Sequence, residues 1–221
     1  MRDLNQLIIE FKFEKNFKDQ DYYVSNSNEH VYKIINLWPR WEKNFLNICG
    51  KKFSGKTHLI NIFEKKNGAF KIDARELKNN LLDDLKFYKN IVIENLNENI
   101  NEELLYSIYN LVDLEEKYLV VTSETPISKM NFKLKDLKSR CNNFIISKIY
   151  DPDDDLIYAL IIKNLSDRQI LIDKKLVDYI IKRIDRSYGK ISNFIYKIDK
   201  ISLKEKKPID FKIIKTALET N

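Results

Sequence analysis

The residues Gly50-Lys51-Lys52-Phe53-Ser54-Gly55-Lys56-Thr57 follow the pattern G-x-x-x-x-G-K-T. Residues of these types at this spacing hold a polyphosphate. The glycines let the backbone curl until its N–H groups point inward. Lys56 brings a point charge for the β- and γ-phosphates, and the Thr57 hydroxyl suits Mg²⁺. Two of only four glycines in the chain fall at the two required positions, which argues against a chance match.

Such a loop works only between a strand and a helix. Phe45 to Cys49 is a short apolar run that reads as a buried strand. His58 to Phe63 reads as the start of a helix whose positive N-terminal end faces the phosphates. Further apolar runs read as strands at Phe70–Asp73, Asn90–Asn95, Tyr118–Ser123 and Phe144–Ile146. Helical patterns lie between them. One runs from Glu29 to Trp38 and ends at Pro39, one from Ala74 to Leu85, and one from Glu102 to Leu114 with Leu104, Leu105, Ile108, Leu111 and Val112 inward. Strands alternating with helices predict a three-layer α/β sandwich around a parallel sheet.

The rhythm changes at Asp151-Pro152. Beyond it every pattern is helical, with Asp154 and Asp173 as expected caps and Pro208 and Asp210 opening the last helix. Residues 151–221 are therefore expected to form a small all-helical lid, 14–150 the α/β domain, and 1–13 a separate peptide.

Composition narrows the classes. The chain has 221 residues and a formal net charge of +6. Its lysines are spread along the chain with acids interleaved, so the charge reads as a solvated surface; a weak nucleic-acid affinity stays open. No apolar run is long enough to cross a bilayer, and the N-terminus lacks a signal-peptide core, so no membrane role is expected and the location is expected to be cytoplasmic. Cys49 and Cys141 are too few for a disulfide framework or a zinc site.

The remaining motifs fall in a telling order. Ile91-Val92-Ile93-Glu94-Asn95 stands where a Walker B motif should be, and Thr122-Ser123 stands at the sensor 1 position. Leu137-Lys138-Ser139-Arg140 looks like an arginine-finger box. Tyr22-Tyr23-Val24-x-x-Ser27-Asn28 looks like a segment that lines an adenine pocket, and Gly55-Lys56-Thr57-His58-Leu59 completes the phosphate loop. In these motifs the chain resembles the DnaA-related AAA+ family, and within it the short Hda-like regulatory inactivators of DnaA. The resemblance spans roughly residues 20 to 220. It implies ADP or ATP with Mg²⁺ as cofactors, held by Gly50 to His58, Tyr22, Tyr23 and Val24, with Thr57 and Glu94 on the metal.

Asn95 replaces the second acid of the Walker B pair, and an amide cannot act as a general base. Ser123 would be sensor 1. Gly189 falls where the family has its lid arginine, and Arg186, one turn earlier, either substitutes or is a surface arginine. The resemblance thus implies a chain that binds nucleotide, hydrolyses it poorly, and lends Arg140 in trans to the ATPase site of DnaA. An intramolecular ion pair is the alternative for Arg140. The chain stops after the lid, so the DNA-binding module of DnaA is expected to be absent. Gln6, Leu7, Ile9 and Phe11 are similar to the peptide by which Hda-like proteins hold the polymerase III sliding clamp (β subunit), which would bring DNA close indirectly; an edge strand is the alternative. A homo-oligomer stays open. So do a self-sufficient ATPase or loader and a DNA-associated adaptor.

Overall fold

The computed structural model describes residues 22–78 and 80–219. The expected peptide with Gln6, Leu7, Ile9 and Phe11 lies outside the described residues. The sheet has five strands: β1 (Phe45–Cys49), β2 (Phe70–Asp73), β3 (Asn90–Leu96), β4 (Tyr118–Ser123) and β5 (Ile145–Lys148). All four pairings are parallel, in the order β2-β3-β4-β1-β5. Inserting β4 between β1 and β3 opens a crevice at the carboxyl ends of the strands, where α/β sheets bind ligands.

The helices cover both faces, as a parallel sheet requires. α1 (Glu29–Asn36) and α2 (Lys56–Asn67) pack on one face, where Val31, Ile35, Leu59, Ile60 and Phe63 meet Leu46, Ile48, Val92 and Val120. On the other face, α4 (Glu102–Leu114) and α5 (Lys135–Cys141) set Leu104, Ile108, Val112 and Leu137 against Phe45, Ile91, Ile93, Leu119 and Val121. Neighbouring residues of each strand serve opposite layers, so these runs are apolar throughout. A second core lies within α6 (Asp154–Ser166), α7 (Lys174–Ile181), α8 (Tyr188–Glu205) and α9 (Phe211–Glu219), where Ile161, Val177, Ile180, Phe194, Ile198 and Ile214 are buried together.

Four local expectations need correcting. The stretch from Ala74 to Leu85 is not one helix: a 3-10 turn at Ala74–Glu76 gives way to an extended Leu77, and only α3 (Leu81–Leu85) is α-helical. Asp73 causes the break, because its carboxylate accepts from the Arg75 backbone N–H at 3.0 Å and caps the short turn. The first helix ends at Asn36, two residues before Trp38. Asp153, not Asp154, caps α6, accepting from the Leu156 N–H at 2.9 Å. On α4 Tyr109 joins Leu104, Leu105, Ile108 and Val112 in the core, and Leu111 packs against that core only partly covered. Tyr109 stacks on Phe45 with ring centroids 4.1 Å apart.

Candidate functional site

The loop between β1 and α2 curls as the motif requires. Gly55 sits at φ 90°, in the left-handed region, with its Cα face against Tyr22; a Cβ there would come 3.2 Å from the ring. A Cβ at Gly50 would meet Ser54 Oγ at 2.9 Å and the Ile149 carbonyl at 3.1 Å. Phe53 also adopts a positive φ of 66°, which costs a non-glycine residue strain of the kind concentrated at binding loops. Lys56 is buried, and its ammonium donates to the carbonyls of Gly50 (2.6 Å) and Lys51 (2.9 Å). Burial pushes its pKa down, opposed by the nearby charges of Glu124 and Glu94. Two of its three N–H bonds are thus spent on the loop itself, which fixes the ammonium against the loop carbonyls.

A cleft of about 760 Å³ opens beside this loop. It is lined on one side by Lys52 to His58 and on the other by Asn95, Ser123, Glu124 and Arg75. A smaller recess of about 100 Å³ adjoins it, lined by Tyr22, Tyr23, Asn28, His58, Leu160 and Tyr188. Tyr22 stacks on Tyr32 (5.8 Å, 9°) and meets His58 in a T-shaped contact (5.3 Å, 85°), giving an aromatic wall suited to a heterocycle. Burial raises the Tyr22 phenol well above its usual pKa and pushes the Tyr188 phenol up to about 12. Both therefore stay neutral.

Several contacts tie the recess to the start of the lid. Asp153 accepts from the Ser27 N–H at 3.2 Å as well as capping α6. The Tyr188 hydroxyl donates to the Tyr150 carbonyl at 3.2 Å. Lys51 pairs with Asp151 at 2.8 Å.

The far wall holds a cluster that sequence reading missed. The register sets Asp73 on β2 beside Glu94 on β3. The pairing of β3 with β4 is irregular between Ile93 and Leu96, and Asn95 takes φ 58° there, a left-handed conformation that Asn tolerates. Its amide donates to Asp73 Oδ2 at 2.7 Å. Arg75 grips the same carboxylate through Nε (2.7 Å) and Nη2 (3.0 Å), which holds Asp73 far below the usual carboxylate range. Asn95 is thus already engaged by an acid from the next strand. Glu94 is different: its Oε1 is buried with no hydrogen-bond partner among the described residues. An unpartnered buried carboxylate oxygen on β3, one residue before the cleft-lining Asn95, suits a divalent cation. Among the described residues no group of three or more His, Cys, Asp or Glu side chains could hold a metal alone, so phosphate and water would complete the shell.

Ser123 lines the cleft, but its hydroxyl donates to the Thr125 carbonyl at 2.6 Å and accepts from Asn47 at 2.9 Å. Asn47 also accepts from the Ile127 N–H at 2.9 Å, so this buried amide shapes the end of β4 and the loop after it. Asn47→Leu is expected to cost about 1–3 kcal/mol, because the Ile127 N–H is left buried and unpaired. Urea unfolding measures this, and an unchanged midpoint would contradict it.

Of the expected site residues, Gly50, Lys51 and Glu94 are not among those lining the cleft or the recess, and Val24 and Arg186 also stand apart from them, as Arg140 was expected to. Arg186 pairs with Asp154 at 2.7 Å on the lid, and Gly189 packs beside Phe53 instead. Arg140, on α5, lies over the Tyr109 ring at 5.2 Å and 3.7 Å from Asp113, outside its own chain's cleft.

No protein-family model matches the chain. The replication initiator DnaA of Helicobacter hepaticus is 25% identical over 197 residues, which cover 78% of this chain and 42% of that protein. The chain spans about half the length of the curated relatives it matches. Domain III of Thermotoga maritima DnaA superposes with a TM-score of 0.74 at 17% identity, covering 92% of this chain and 96% of that one. A DnaA bound to AMPPCP and single-stranded DNA superposes at 0.66 and 18%, covering 85% and 67%.

Proposed function

We propose that this DnaA-related AAA+ protein binds an adenine nucleotide at Gly50 to Thr57 and acts as an Hda-like regulator, raising ATP hydrolysis by DnaA through Arg140 in trans. The observation that carries this reading is an asymmetry. The chain's own cleft has an amide, Asn95, where hydrolysis wants a second acid, and that amide is bonded to Asp73. Its candidate finger, Arg140, stands away from that cleft on a partly exposed surface. A poor site with an outward arginine suits a chain that completes another chain's site.

Within the cleft, the loop N–H groups and Lys56 would cradle the phosphates, and the wall of Tyr22 and His58 would take the base. Thr57 and Glu94 would hold Mg²⁺, which when bound neutralises charge between the β- and γ-phosphates. With no lid arginine among the described residues that line the cleft, ADP is the proposed resident. Ser123 would orient a γ-phosphate only by giving up its bond to Thr125. The sliding clamp is proposed as a second partner through Gln6, Leu7, Ile9 and Phe11, on the motif alone, with action in the cytoplasm where replication occurs. Among the described residues no helix is long and apolar enough to cross a membrane.

Mixing the purified chain with ATP-loaded DnaA, with and without clamp-loaded DNA, tests the reading. The chain is expected to accelerate phosphate release from DnaA, more strongly with clamp-loaded DNA. Release at the rate of DnaA alone under both conditions would refute it.

A further inference from the structure

Along the sequence the lysines read as diffuse, but the fold gathers them unevenly. Residues 190 to 215 carry eight lysines against three acids, +5 of the chain's total of +6. Two of those acids are already engaged: Asp199 pairs with Arg168 at 3.0 Å, and Asp210 caps α9 by accepting from the Ile213 N–H at 2.8 Å. This segment is the hairpin of α8 and α9. The inner face of α8 buries Ile191, Phe194, Ile195 and Ile198 in the lid core. Lys200 and Lys204 are exposed on the opposite face, with Lys206 and Lys207 in the turn and Lys212 and Lys215 exposed on α9. None of these six is in an ion pair among the described residues.

We propose that the outer surface of this hairpin binds the phosphate backbone of duplex nucleic acid without reading its sequence. From Lys200 to Lys204 the row runs about 6 Å along α8 at about 1.5 Å per residue, and Lys206 and Lys207 continue it into the turn. A duplex carries one phosphate charge per about 1.7 Å of axis, so several phosphates lie within reach of the row at once. Lysine ammonium groups are mobile point charges that lack the planar fork of arginine, which suits phosphate contact rather than base readout. The aromatic platform that single strands need is poorly supplied: Lys200 lies over the Tyr196 ring at 6.0 Å, and Phe211 packs edge-on against Tyr179 at 5.3 Å. The lysines do not hold the fold together, since the apolar inner face does that. The site therefore comes at no evident structural cost, and it stands independently of nucleotide binding or any action on DnaA.

The test is fluorescence anisotropy of a labelled 30-base-pair duplex of arbitrary sequence, titrated with the full chain across a salt series. Lys200→Gln, Lys204→Gln and Lys207→Gln together are expected to weaken binding roughly tenfold or more near 0.1 M salt, and to lower the log–log salt slope by about 2.7. A control triple, Lys33→Gln, Lys86→Gln and Lys133→Gln, removes the same charge elsewhere and is expected to change affinity less than about twofold. Circular dichroism and melting confirm that both triples stay folded. Equal losses in the two triples, unchanged binding in the first, or no binding by the wild-type chain would each overturn the proposal. So would a first triple that loses affinity for anionic phosphatidylserine vesicles while keeping it for the duplex.

Discussion

Arg140→Ala is expected to leave folding, nucleotide binding and duplex binding intact, while lowering stimulated hydrolysis by DnaA about a thousandfold or more, the scale of arginine fingers supplied in trans. The guanidinium donates to two phosphoryl oxygens at once in a fixed fork, so Arg140→Lys should restore little. The competing account is that Arg140 braces α4 against α5, since it lies 3.7 Å from Asp113 and over the Tyr109 ring. That pair is partly exposed, and such pairs contribute about 0–1 kcal/mol, too little to govern folding. Asp113→Asn separates the two accounts. If bracing matters, it should damage the protein as Arg140→Ala does. If the arginine acts on a neighbour, Asp113→Asn should keep full stimulation, because the guanidinium is only freed from a weak partner. Stimulation by Arg140→Ala equal to wild type would end the trans mechanism.

The second large effect concerns the chain's own hydrolysis. Asn95→Asp, which would supply a second acid to the proposed Walker B pair, is expected to fail. The amide it replaces donates to Asp73 Oδ2 at 2.7 Å, so the new carboxylate would face a like charge at hydrogen-bond distance. One of the two would then hold a proton or turn away, and stability should fall. The double variant Asp73→Asn with Asn95→Asp reverses the pair: the new amide at 73 donates to the new carboxylate at 95, while Arg75 Nη2, which donates to the same Oδ2 at 3.0 Å, has to swing off that amide. Asn at 73 still caps the 3-10 turn, and Asp at 95 tolerates a left-handed φ. The double variant is therefore expected to raise single-turnover ATP hydrolysis by roughly 10²–10⁴, the range of a positioned general base. A double variant that binds ATP and Mg²⁺ yet hydrolyses no faster would show that Asn95 is not what limits the reaction.

These two predictions also mark how far the sequence could be read. The phosphate loop, its strand and its helix were legible because eight contiguous residues carry the whole device, and the parallel sheet because apolar runs alternate with amphipathic ones. The Asp73–Arg75–Asn95 cluster was not, because 22 residues separate Asp73 from Asn95 and only the register of β2 on β3 joins them. Tyr109 was passed over for Leu111 because a phenol reads as an amphipathic surface residue, and its stacking on Phe45 depends on the facing strand. Arg186 is a candidate only through the family resemblance, one turn before Gly189, and Asp154 at the start of α6 pairs with it. The lysine excess of residues 190 to 215 was passed over because those lysines alternate with the buried apolar positions of α8 and α9, and only the fold shows which of them are exposed.

The carboxylate of Asp153 serves two segments at once, the first turn of the lid and the chain just before α1. Swinging α6 outward would strain or release the strand of backbone that carries Tyr22 and Tyr23. Under the proposed function, departure of a base from the wall of Tyr22 and His58 would thus be coupled to rotation of the lid through this one carboxylate. A ligand's residence time would be set at this latch, distant from the phosphates, and a variant such as Asp153→Ala would act as a faulty clasp.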